Sequence, residues 1–264
     1  MRRLEPRTDA RVLHPSPRDA VRQVTVVVPA RNEELLIGRC LDGLDRARRR
    51  LRRHRPGLAV EVVVVLDACI DGTADILARR GGVTVVAVDA ARVGAARQAG
   101  IRHVLERPDG DPGAEGRVDD IAHWVTNTDA DSVVPASWLV DQLALAEAGH
   151  DVVVGVVEPD PTELATDVMA RWRGRHRLVD GHAHVHGANL AFRVSTYLAG
   201  GGFEPLPVHE DVRLVERMRV GGARIAATAR VRVRTSARTT GRAPQGFAAY
   251  LDELAHEGPV VDAS

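Results

Sequence analysis

Two carboxylates separated by a single residue, Asp129 and Asp131, follow the apolar segment 123–128. Mg²⁺ and Mn²⁺ prefer oxygen ligands and keep several waters, so one or two protein carboxylates and the phosphates of a substrate complete their coordination. Acidic pairs with this spacing are common in loops, and the pair alone is a weak signal. Its position at the end of a segment typical of a buried strand favours a divalent-metal site that binds a diphosphate.

Three earlier apolar segments also end in polar residues. These residues are 29–33 (PARNE), 67–73 (DACIDGT) and 89–92 (DAAR). In open α/β sheets, ligands bind outside the carboxyl ends of the strands. We therefore expect the three loops and the carboxylate pair to form one site, which offers carboxylates, an amide and arginines.

The elements that position these residues alternate along the first half of the chain. Short β-branched segments predict strands buried on both faces, and helical spacing separates them. The predicted strands are 24–30, 60–66, 83–88 and 124–128, and the predicted helices are 33–51, 73–80 and 93–105. Strands that alternate with helices indicate βαβ units, so the pattern predicts an α/β fold with a mostly parallel central sheet flanked by helices.

The second half has a less regular pattern. Its predicted helices are 135–147, 161–179 and 210–220, and its predicted strands are 151–157, 189–193 and 224–235. A histidine-rich segment, 180–187, precedes the strand at 189–193. The residues after 236 contain a short amphipathic stretch, 246–254, and are predicted to stay mobile until a ligand binds.

Composition excludes several classes of function. Acidic and basic residues balance at 36 each, and every basic residue is arginine. No net field therefore favours nucleic acid, and an aromatic content of 3% argues against platforms that stack bases. An anion site in this chain must consist of guanidinium groups, histidines and backbone N–H groups.

The sequence predicts a soluble, cytoplasmic protein. Residues 1–23 are rich in arginine and proline and lack the apolar core of a signal peptide. No stretch approaches the roughly 20 apolar residues that span a bilayer. Cys40 and Cys69 show no C-x-x-C spacing, which favours reduced structural thiols. The arginine-rich stretch 46–55 is predicted to be the solvated face of the first helix, with weak contact to anionic lipid as the alternative.

The glycine patterns of two large nucleotide-binding classes are missing. No G-x-G-x-x-G follows the first strand, and G-x-x-x-x-G-K-[ST] does not occur. The missing patterns therefore argue against a dinucleotide dehydrogenase and a P-loop NTPase. The glycine-rich, arginine-containing opening of sugar nucleotidyltransferases is also missing after Val28.

Six segments together resemble the family 2 glycosyltransferases of the GT-A fold. They are PARNE (29–33), VLDACIDGT (65–73), VGAARQAG (93–100), TDAD (128–131), HGANLA (186–191) and HEDVRL (209–214). They have the order and spacing of that family, and the resemblance covers residues 24–234. It implies a single GT-A (nucleotide-diphospho-sugar transferase) domain that moves a sugar from a nucleotide-diphosphate sugar, with a UDP-sugar favoured, to an acceptor hydroxyl.

The resemblance also implies roles for residues on the donor side. Pro29, Arg31 and Glu33 would line the nucleoside. Asp67 would accept a hydrogen bond from the base, which suits the imide N–H of uracil. Arg97 would lie near phosphate or ribose, although a solvated helix arginine explains it nearly as well, and helix-dipole acidity is the alternative for Glu33. Asp129 would contact ribose and metal, and Asp131 would coordinate Mn²⁺ or Mg²⁺ directly.

On the acceptor side, the implied residues come from the second half. His186, Gly187 and Asn189 would form the pocket beneath the donor sugar. Asp211, with Glu210 beside it, would be the general base of an inverting displacement, and acidity at a helix amino terminus is the alternative for both. The final implied element is a flap in which Arg238 and Arg242 close over the diphosphate. Zinc bound by the histidines of segment 182–186 is disfavoured, because neither cysteine nor H-E-x-x-H accompanies them.

The domain boundaries follow from these assignments. Residues 1–22 are predicted to be a flexible segment, 23–134 the donor-binding half, 135–235 the acceptor-binding half and 236–264 a tail. The acceptor is a small molecule, a lipid-linked molecule or a glycan. Two other functions stay open: a retaining GT-A transferase of the kind that glycosylates glycerate derivatives, and a non-catalytic nucleotide-sugar-binding protein.

Overall fold

The computed structural model describes residues 20–106, 120–176, 178–238 and 247–257, which contain eight strands and eight helices. The strands are β1 (Gln23–Ala30), β2 (Ala59–Asp67), β3 (Thr84–Val88), β4 (His123–Asn127), β5 (Ser132–Val133), β6 (Val152–Pro159), β7 (Leu190–Arg193) and β8 (Ile225–Thr235). The helices are α1 (Ile37–His54), α2 (Thr73–Arg80), α3 (Val93–Leu105), α4 (Trp138–Glu147), α5 (Thr166–Arg175), α6 (Val194–Ala199), α7 (Glu210–Val220) and α8 (Phe247–His256).

All eight strands join one sheet in the order β3-β2-β1-β4-β7-β6-β8-β5. The first four strands run parallel to one another, whereas β7 is antiparallel to both of its neighbours. β6 and β8 are parallel with an irregularity at Gly155/Val156, and β5 is antiparallel to β8. The α/β fold with a mostly parallel sheet is confirmed. The parallel strands also place the carboxyl ends of β1 to β4 at one edge.

Helices cover both faces of the sheet, which explains the unbroken apolar runs of the central strands. On one face, Ile37 and Leu44 of α1 and Trp138 of α4 belong to one buried cluster with alternate residues of β1. On the other face, a second cluster contains Ile101 of α3 and Leu214 of α7. The alternating residues of β1 therefore contribute to two cores.

A third, smaller cluster joins α5 to α8. It contains Met169 and Trp172 of α5, Leu251 and Leu254 of α8, and Ala237 from the segment after β8. Part of the predicted tail is thus packed against the domain. None of the helices in the described ranges has the length and apolar composition needed to cross a membrane.

Several predicted elements differ in detail. β3 forms an edge of the sheet with Val85 exposed, so the prediction that this strand is buried on both faces is wrong. α1 begins at Ile37 because Glu33 to Leu36 form a turn in which the N–H of Leu36 and of Ile37 donate to the Glu33 carbonyl. β5 and α6 were not predicted, because elements of two and six residues are too short to show a hydrophobic periodicity.

Some arginines of the stretch 46–55 contact the protein rather than solvent. Arg48 donates to the carbonyls of Gly82 and Val60, and Arg55 donates to the Glu147 carboxylate and the Val21 carbonyl. These bonds connect α1 to the ends of neighbouring elements. The prediction of a fully solvated face is therefore wrong for Arg48 and Arg55.

Candidate active site

A cavity of about 530 Å³ opens at the carboxyl ends of the parallel strands. Its wall contains residues from the loops after β1, β2, β3 and β4, together with residues 235–238 and the start of α8. Eight of the predicted site residues line it: Pro29, Arg31, Glu33, Asp67, Arg97, Asp129, Asp131 and Arg238. The structure thus brings together residues more than 200 positions apart in the sequence.

The loops after the first three strands turn through left-handed backbone conformations. Asn32, Ala68 and Ala91 have φ angles of 53°, 49° and 51°. A residue with a Cβ atom costs roughly 1–2 kcal/mol in this region relative to its right-handed form. Such strain persists only where surrounding contacts determine the backbone, and it is concentrated at functional sites.

Asp67, at the end of β2, is held by the loop after β3. Its Oδ1 atom accepts hydrogen bonds from the N–H groups of Ala90 and Ala91 at 2.8 and 2.9 Å. The residue is buried and lies in the cavity wall. These two bonds fix the carboxylate and leave Oδ2 as the oxygen with more capacity to accept.

The segment 71–73 connects the first two loops. The Thr73 hydroxyl accepts from the Glu33 N–H at 2.8 Å and donates to Asp71 Oδ1 at 2.6 Å, while the Thr73 N–H also donates to Asp71. These bonds lower the pKa of the Asp71 carboxyl against the opposing effect of its partial burial. The segment is a turn before α2 that supports the Glu33 loop.

Asp131 lies in a strongly negative environment. Burial raises the pKa of its carboxyl to about 6, with repulsion from Asp129 and Glu33 acting in the same direction and the Arg238 charge opposing them. The hydroxyls of Ser132 and Thr235 donate to Oδ1 at 3.2 Å. Burial and the two neighbouring carboxylates thus both disfavour the charged form of Asp131.

Arg238 supplies the nearest compensating charge. Its guanidinium donates to both carboxylate oxygens of Glu33, at 3.0 and 2.9 Å, and to Asp131 Oδ2 at 2.7 Å. The backbone before it is anchored as well, because Ser236 N–H donates to the Asp131 carbonyl and Ala237 N–H to Glu163. Arg242 lies outside the described residues.

Arg97, on α3, is buried and contacts both acidic motifs. Its Nη2 atom donates to Asp129 Oδ1 at 2.7 Å and its Nη1 atom to Glu210 Oε1 at 2.5 Å. Asp129 has a side chain that is 35% exposed, whereas that of Glu210 is 6% exposed. The alternative prediction, that Arg97 is a solvated helix arginine, is therefore wrong.

Asp211 lies in the first turn of α7 beside the histidine-containing segment. Asp211, Glu210, His186 and Gly187 are not among the residues that line the cavity. Its Oδ2 atom accepts from the Gly187 N–H at 2.6 Å, and its Oδ1 atom accepts from the Val212 N–H at 2.8 Å. Burial lowers the pKa of the neighbouring His186 to about 4 although the Asp211 charge opposes this. His186 is therefore a neutral ring next to an acidic group at neutral pH.

The Asn189 side chain makes hydrogen bonds to three elements of the core. Its amide nitrogen donates to the carbonyls of Val156 and Val231, and its oxygen accepts from the Trp138 indole N–H at 2.9 Å. A Cβ on Gly155 would lie 2.6 Å from the amide carbon of Asn189, so glycine is required there. The structure thus places Asn189 at the junction of β6, β8 and α4, and this residue is not among those that line the cavity.

Aromatic rings continue from His186 away from Asp211. Ring centroids of His186 and His184 are 6.2 Å apart, those of His184 and His176 are 5.4 Å apart, and His176 stacks on Trp172 at 4.5 Å. Burial lowers the pKa of His176. In the part of the chain that the structure describes, no three histidine, cysteine or acidic side chains form a metal-binding group.

Sequence reasoning missed the residues that support the carboxylate pair. Thr235 and Ser236 contact Asp131 across about a hundred positions of sequence, and Glu163 binds the Ser236 hydroxyl and the Ala237 N–H. Their sequence neighbourhoods carry no spacing that predicts these contacts. These contacts arise because β5, a strand of only two residues, pairs with β8.

Comparison with known proteins gives a family and a fold. The family model described as "Glycosyl transferase family 2" matches residues 25–197, well over half of the chain. No curated protein sequence matches the chain significantly. S. aureus TarS 1–349, solved with UDP-GlcNAc, is similar with a TM-score of 0.60 and 17% identity, over 85% of this chain and 61% of that chain. The chain thus spans less than two thirds of that relative.

A second solved structure is the mannosyltransferase PcManGT from Pyrobaculum calidifontis in complex with GDP-Man and Mn²⁺. It has a TM-score of 0.59 and 22% identity, over 93% of this chain and 67% of that chain. At these identities the similarity establishes the fold, and both neighbours share the predicted architecture.

Proposed function

Because the chain belongs to glycosyl transferase family 2, we propose that it moves a sugar from a nucleotide-diphosphate sugar, with UDP-sugars favoured, to an acceptor hydroxyl. The observation that carries this proposal is the shared cavity: an aspartate pair, the buried carboxylate of Asp67 and four arginines line one space at the strand ends. TarS was solved with UDP-GlcNAc and PcManGT with GDP-Man, so nucleotide-sugar donors suit this fold.

Asp67 supports uracil as the base. Uracil presents one N–H donor at its edge, whereas guanine presents an N–H and an amino group to the same side. Because Asp67 Oδ1 already accepts two backbone N–H bonds, one oxygen stays well placed for a base. Pro29 and Arg31 line the same wall and complete the nucleoside pocket.

The residues present fit a divalent cation. Asp129 and Asp131 both line the cavity, and Asp131 hydrogen-bonds to a guanidinium there, so its carboxylate already has a cationic partner that a metal ion could replace. Two carboxylates do not complete a coordination sphere, which agrees with Mg²⁺ or Mn²⁺ also binding diphosphate oxygens and water. When bound, such an ion stabilises the charge that develops on the departing nucleoside diphosphate.

Arg238 would bind the diphosphate beside the aspartate pair. Its guanidinium already lies at the cavity wall, and two parallel N–H bonds match phosphate as well as they match Glu33. Donor binding would therefore transfer Arg238 from the carboxylates to the diphosphate, while Asp131 turns to the cation.

Asp211 is the proposed general base. Two backbone N–H groups, those of Gly187 and Val212, hold its carboxylate at the start of α7. As the acceptor oxygen attacks the anomeric carbon, its proton passes to Asp211 and the bond to the nucleoside diphosphate breaks. This single displacement inverts the anomeric centre. The donor-binding half is 23–134 and the acceptor-binding half 135–235 in this proposal.

Substitution of Asp131 tests the proposed function. We expect Asp131→Ala to abolish release of UDP from a UDP-sugar while the protein stays folded by circular dichroism. EDTA should have the same effect on the wild type, and Mn²⁺ should restore turnover. Full turnover in EDTA would refute the metal dependence. NMR of the product anomer distinguishes inversion from retention.

A further inference from the structure

A single guanidinium connects the two acidic motifs of the site. Arg97 on α3 donates to Asp129 after β4 and to Glu210 at the start of α7, at 2.7 and 2.5 Å. The side chain of Arg97 is 3% exposed. The metal-binding motif and the motif that contains the proposed base are therefore joined through one buried residue.

The Arg97 guanidinium has close neighbours on several sides. The Phe203 ring lies with its centroid 5.8 Å from the Arg97 Cζ atom. A Cβ on Gly187 would collide with the guanidinium, and a Cβ on Gly94 would lie 2.7 Å from Cγ of Glu210. The glycines of two predicted motifs thus make room for this ion pair, and a lysine could not replace it because an ammonium lacks the planar fork.

Glu210 and Asp211 are adjacent and differ in environment. Neither residue is among those that line the cavity; the Glu210 side chain is 6% exposed and its carboxylate pairs with Arg97. Asp211 is less buried and contacts the Gly187 N–H beside His186. An acidic group that is buried against an arginine is poorly placed to take a proton from an acceptor.

We propose that Arg97 is a positioning residue that fixes Asp129 relative to α7, and that Glu210 is its counter-charge rather than a base. This inference rests on the proposed function. By holding α7, Arg97 keeps Asp211 at a set distance from the carboxylate pair. A displacement of about 1 Å between reacting groups can cost roughly a hundredfold in rate.

Comparison of two neighbouring carboxylates tests the role of Glu210. The probe is release of UDP from UDP-glucose, UDP-galactose or UDP-GlcNAc, whichever the wild type hydrolyses fastest. Glu210→Gln keeps an oxygen that accepts from Arg97, so we expect kcat to fall by roughly tenfold or less, as for one neutralised hydrogen bond. Asp211→Asn removes the base, and kcat should fall by about 10²–10⁴. Equal losses in both variants would overturn the assignment of Glu210.

A double variant separates positioning from stability. Arg97→Gln leaves Glu210 buried without its charge partner and should lower Tm strongly. Arg97→Gln combined with Glu210→Gln removes both charges, so Tm without ligand should largely recover. If Arg97 positions Asp129 and α7, the kcat of the double variant should stay about a hundredfold below that of the wild type although its Tm recovers. Recovery of kcat in parallel with Tm would show a merely structural role and overturn the proposal.

A buried arginine elsewhere provides the matched control. Arg193, at the end of β7, is buried, donates to the carbonyls of Ile121 and Ala146, and is not among the residues that line the cavity. Arg193→Lys should lower Tm without changing kcat per folded molecule. If the wild type itself released no UDP, the proposed function would fail and this role with it. If the wild type turned over but Glu210→Gln were as inactive as Asp211→Asn, the positioning role alone would be overturned.

Discussion

At the scale of single residues, Arg238 takes the place that a cation would have beside Asp131. It donates to Glu33 and to Asp131 together, and its own backbone is tied to the chain that carries the carboxylate pair. A guanidinium at this position offsets the repulsion between the carboxylates of Glu33 and Asp131 in the donor-free protein. It also competes with any ion that approaches the same oxygens.

Arg238→Gln should therefore change two affinities in opposite directions. Without nucleotide, Mn²⁺ should bind several-fold more tightly, because Asp131 loses a competing charge. UDP in the presence of Mn²⁺ should bind about 10–100-fold more weakly, since a charge-assisted hydrogen bond contributes about 1.5–3 kcal/mol. Titration of Mn²⁺ by electron paramagnetic resonance and of UDP by calorimetry measures the two effects.

Arg80→Gln is the matched control for this prediction. Arg80 also pairs with two carboxylates, Asp42 and Asp45, on the outside of α1 and α2. Its substitution should leave both affinities unchanged. A parallel loss of Mn²⁺ and UDP binding in Arg238→Gln would contradict the exchange of partners.

His123 gives a pH-dependent contribution to stability. The ring is buried and bonds to the Thr25 hydroxyl at 2.8 Å, and burial lowers its pKa to about 4, with Glu61 opposing. In the unfolded chain the pKa is about 6.5. Between these values the unfolded chain binds a proton that the folded protein does not, so stability falls as pH decreases from about 6.5 to 4.

We expect His123→Gln to remove this loss. Between pH 7 and pH 5 the free energy of unfolding of the wild type should fall by about 2 kcal/mol more than that of the variant. Urea unfolding at both pH values measures the difference. His103→Gln, on the exposed side of α3, should follow the wild type. A wild-type slope in His123→Gln would show that the ring is not the source.

At the scale of elements, α3 carries Arg97 and must lie close to the sheet. A Cβ on Gly100 would lie 2.8 Å from a Val65 methyl and 2.9 Å from a Val27 methyl, so glycine permits this approach. Gly100→Ala should destabilise the protein by about 1–3 kcal/mol through overpacking. Gly38→Ala on α1, where nothing lies within 4 Å of the added atom, should stabilise it by up to about 1 kcal/mol. Thermal unfolding of the two variants measures the contrast, and equal shifts would contradict close packing of α3.

The same elements show what the sequence could predict. The strands β1, β2 and β4 were predicted within a residue or two, because continuous β-branched runs between helical patterns are unambiguous. Since parallel strands share an edge, placing Asp67 and Asp129 in one cavity followed from topology alone. The helices α2, α3 and α7 were also predicted with the boundaries that the structure shows.

The roles of Asn189 and Arg97 depend on contacts that no local pattern records. Asn189 bonds to Val156 and Val231 because a bulge between β6 and β8 presents their carbonyls. Arg97 reaches Glu210 across 113 positions because two glycines make room. Helical spacing placed Arg97 on α3 correctly. The spacing alone does not show whether the Arg97 side chain is buried against two carboxylates or exposed to solvent.

At the scale of the whole molecule, ion pairs connect the parts of the chain that the proposed reaction requires. Arg97 joins α3, the carboxylate pair and α7, and Arg238 joins the segment after β8 to the loops after β1 and β4. α8 then packs on α5 and contributes to the cavity wall. A donor bound in this cavity would contact segments from both halves of the domain, so binding is expected to stabilise the fold as a unit.

UDP with Mn²⁺ should therefore raise the melting temperature of the whole domain. A ligand at a hundredfold excess over its Kd stabilises the native state by about 2.7 kcal/mol, which corresponds to a shift of roughly 5–10 °C for a domain of this size. Because Asp129 and Asp131 would hold a cation that offsets the diphosphate charge in this proposal, UDP with EDTA should give a much smaller shift. GDP should also give a smaller shift, since Asp67 offers guanine a single well-placed oxygen. Asp131→Ala, measured beside the wild type, should show the same small shift with and without Mn²⁺. An equal shift for UDP in Mn²⁺ and in EDTA would separate nucleotide binding from the carboxylate pair and contradict the proposed role of the cation.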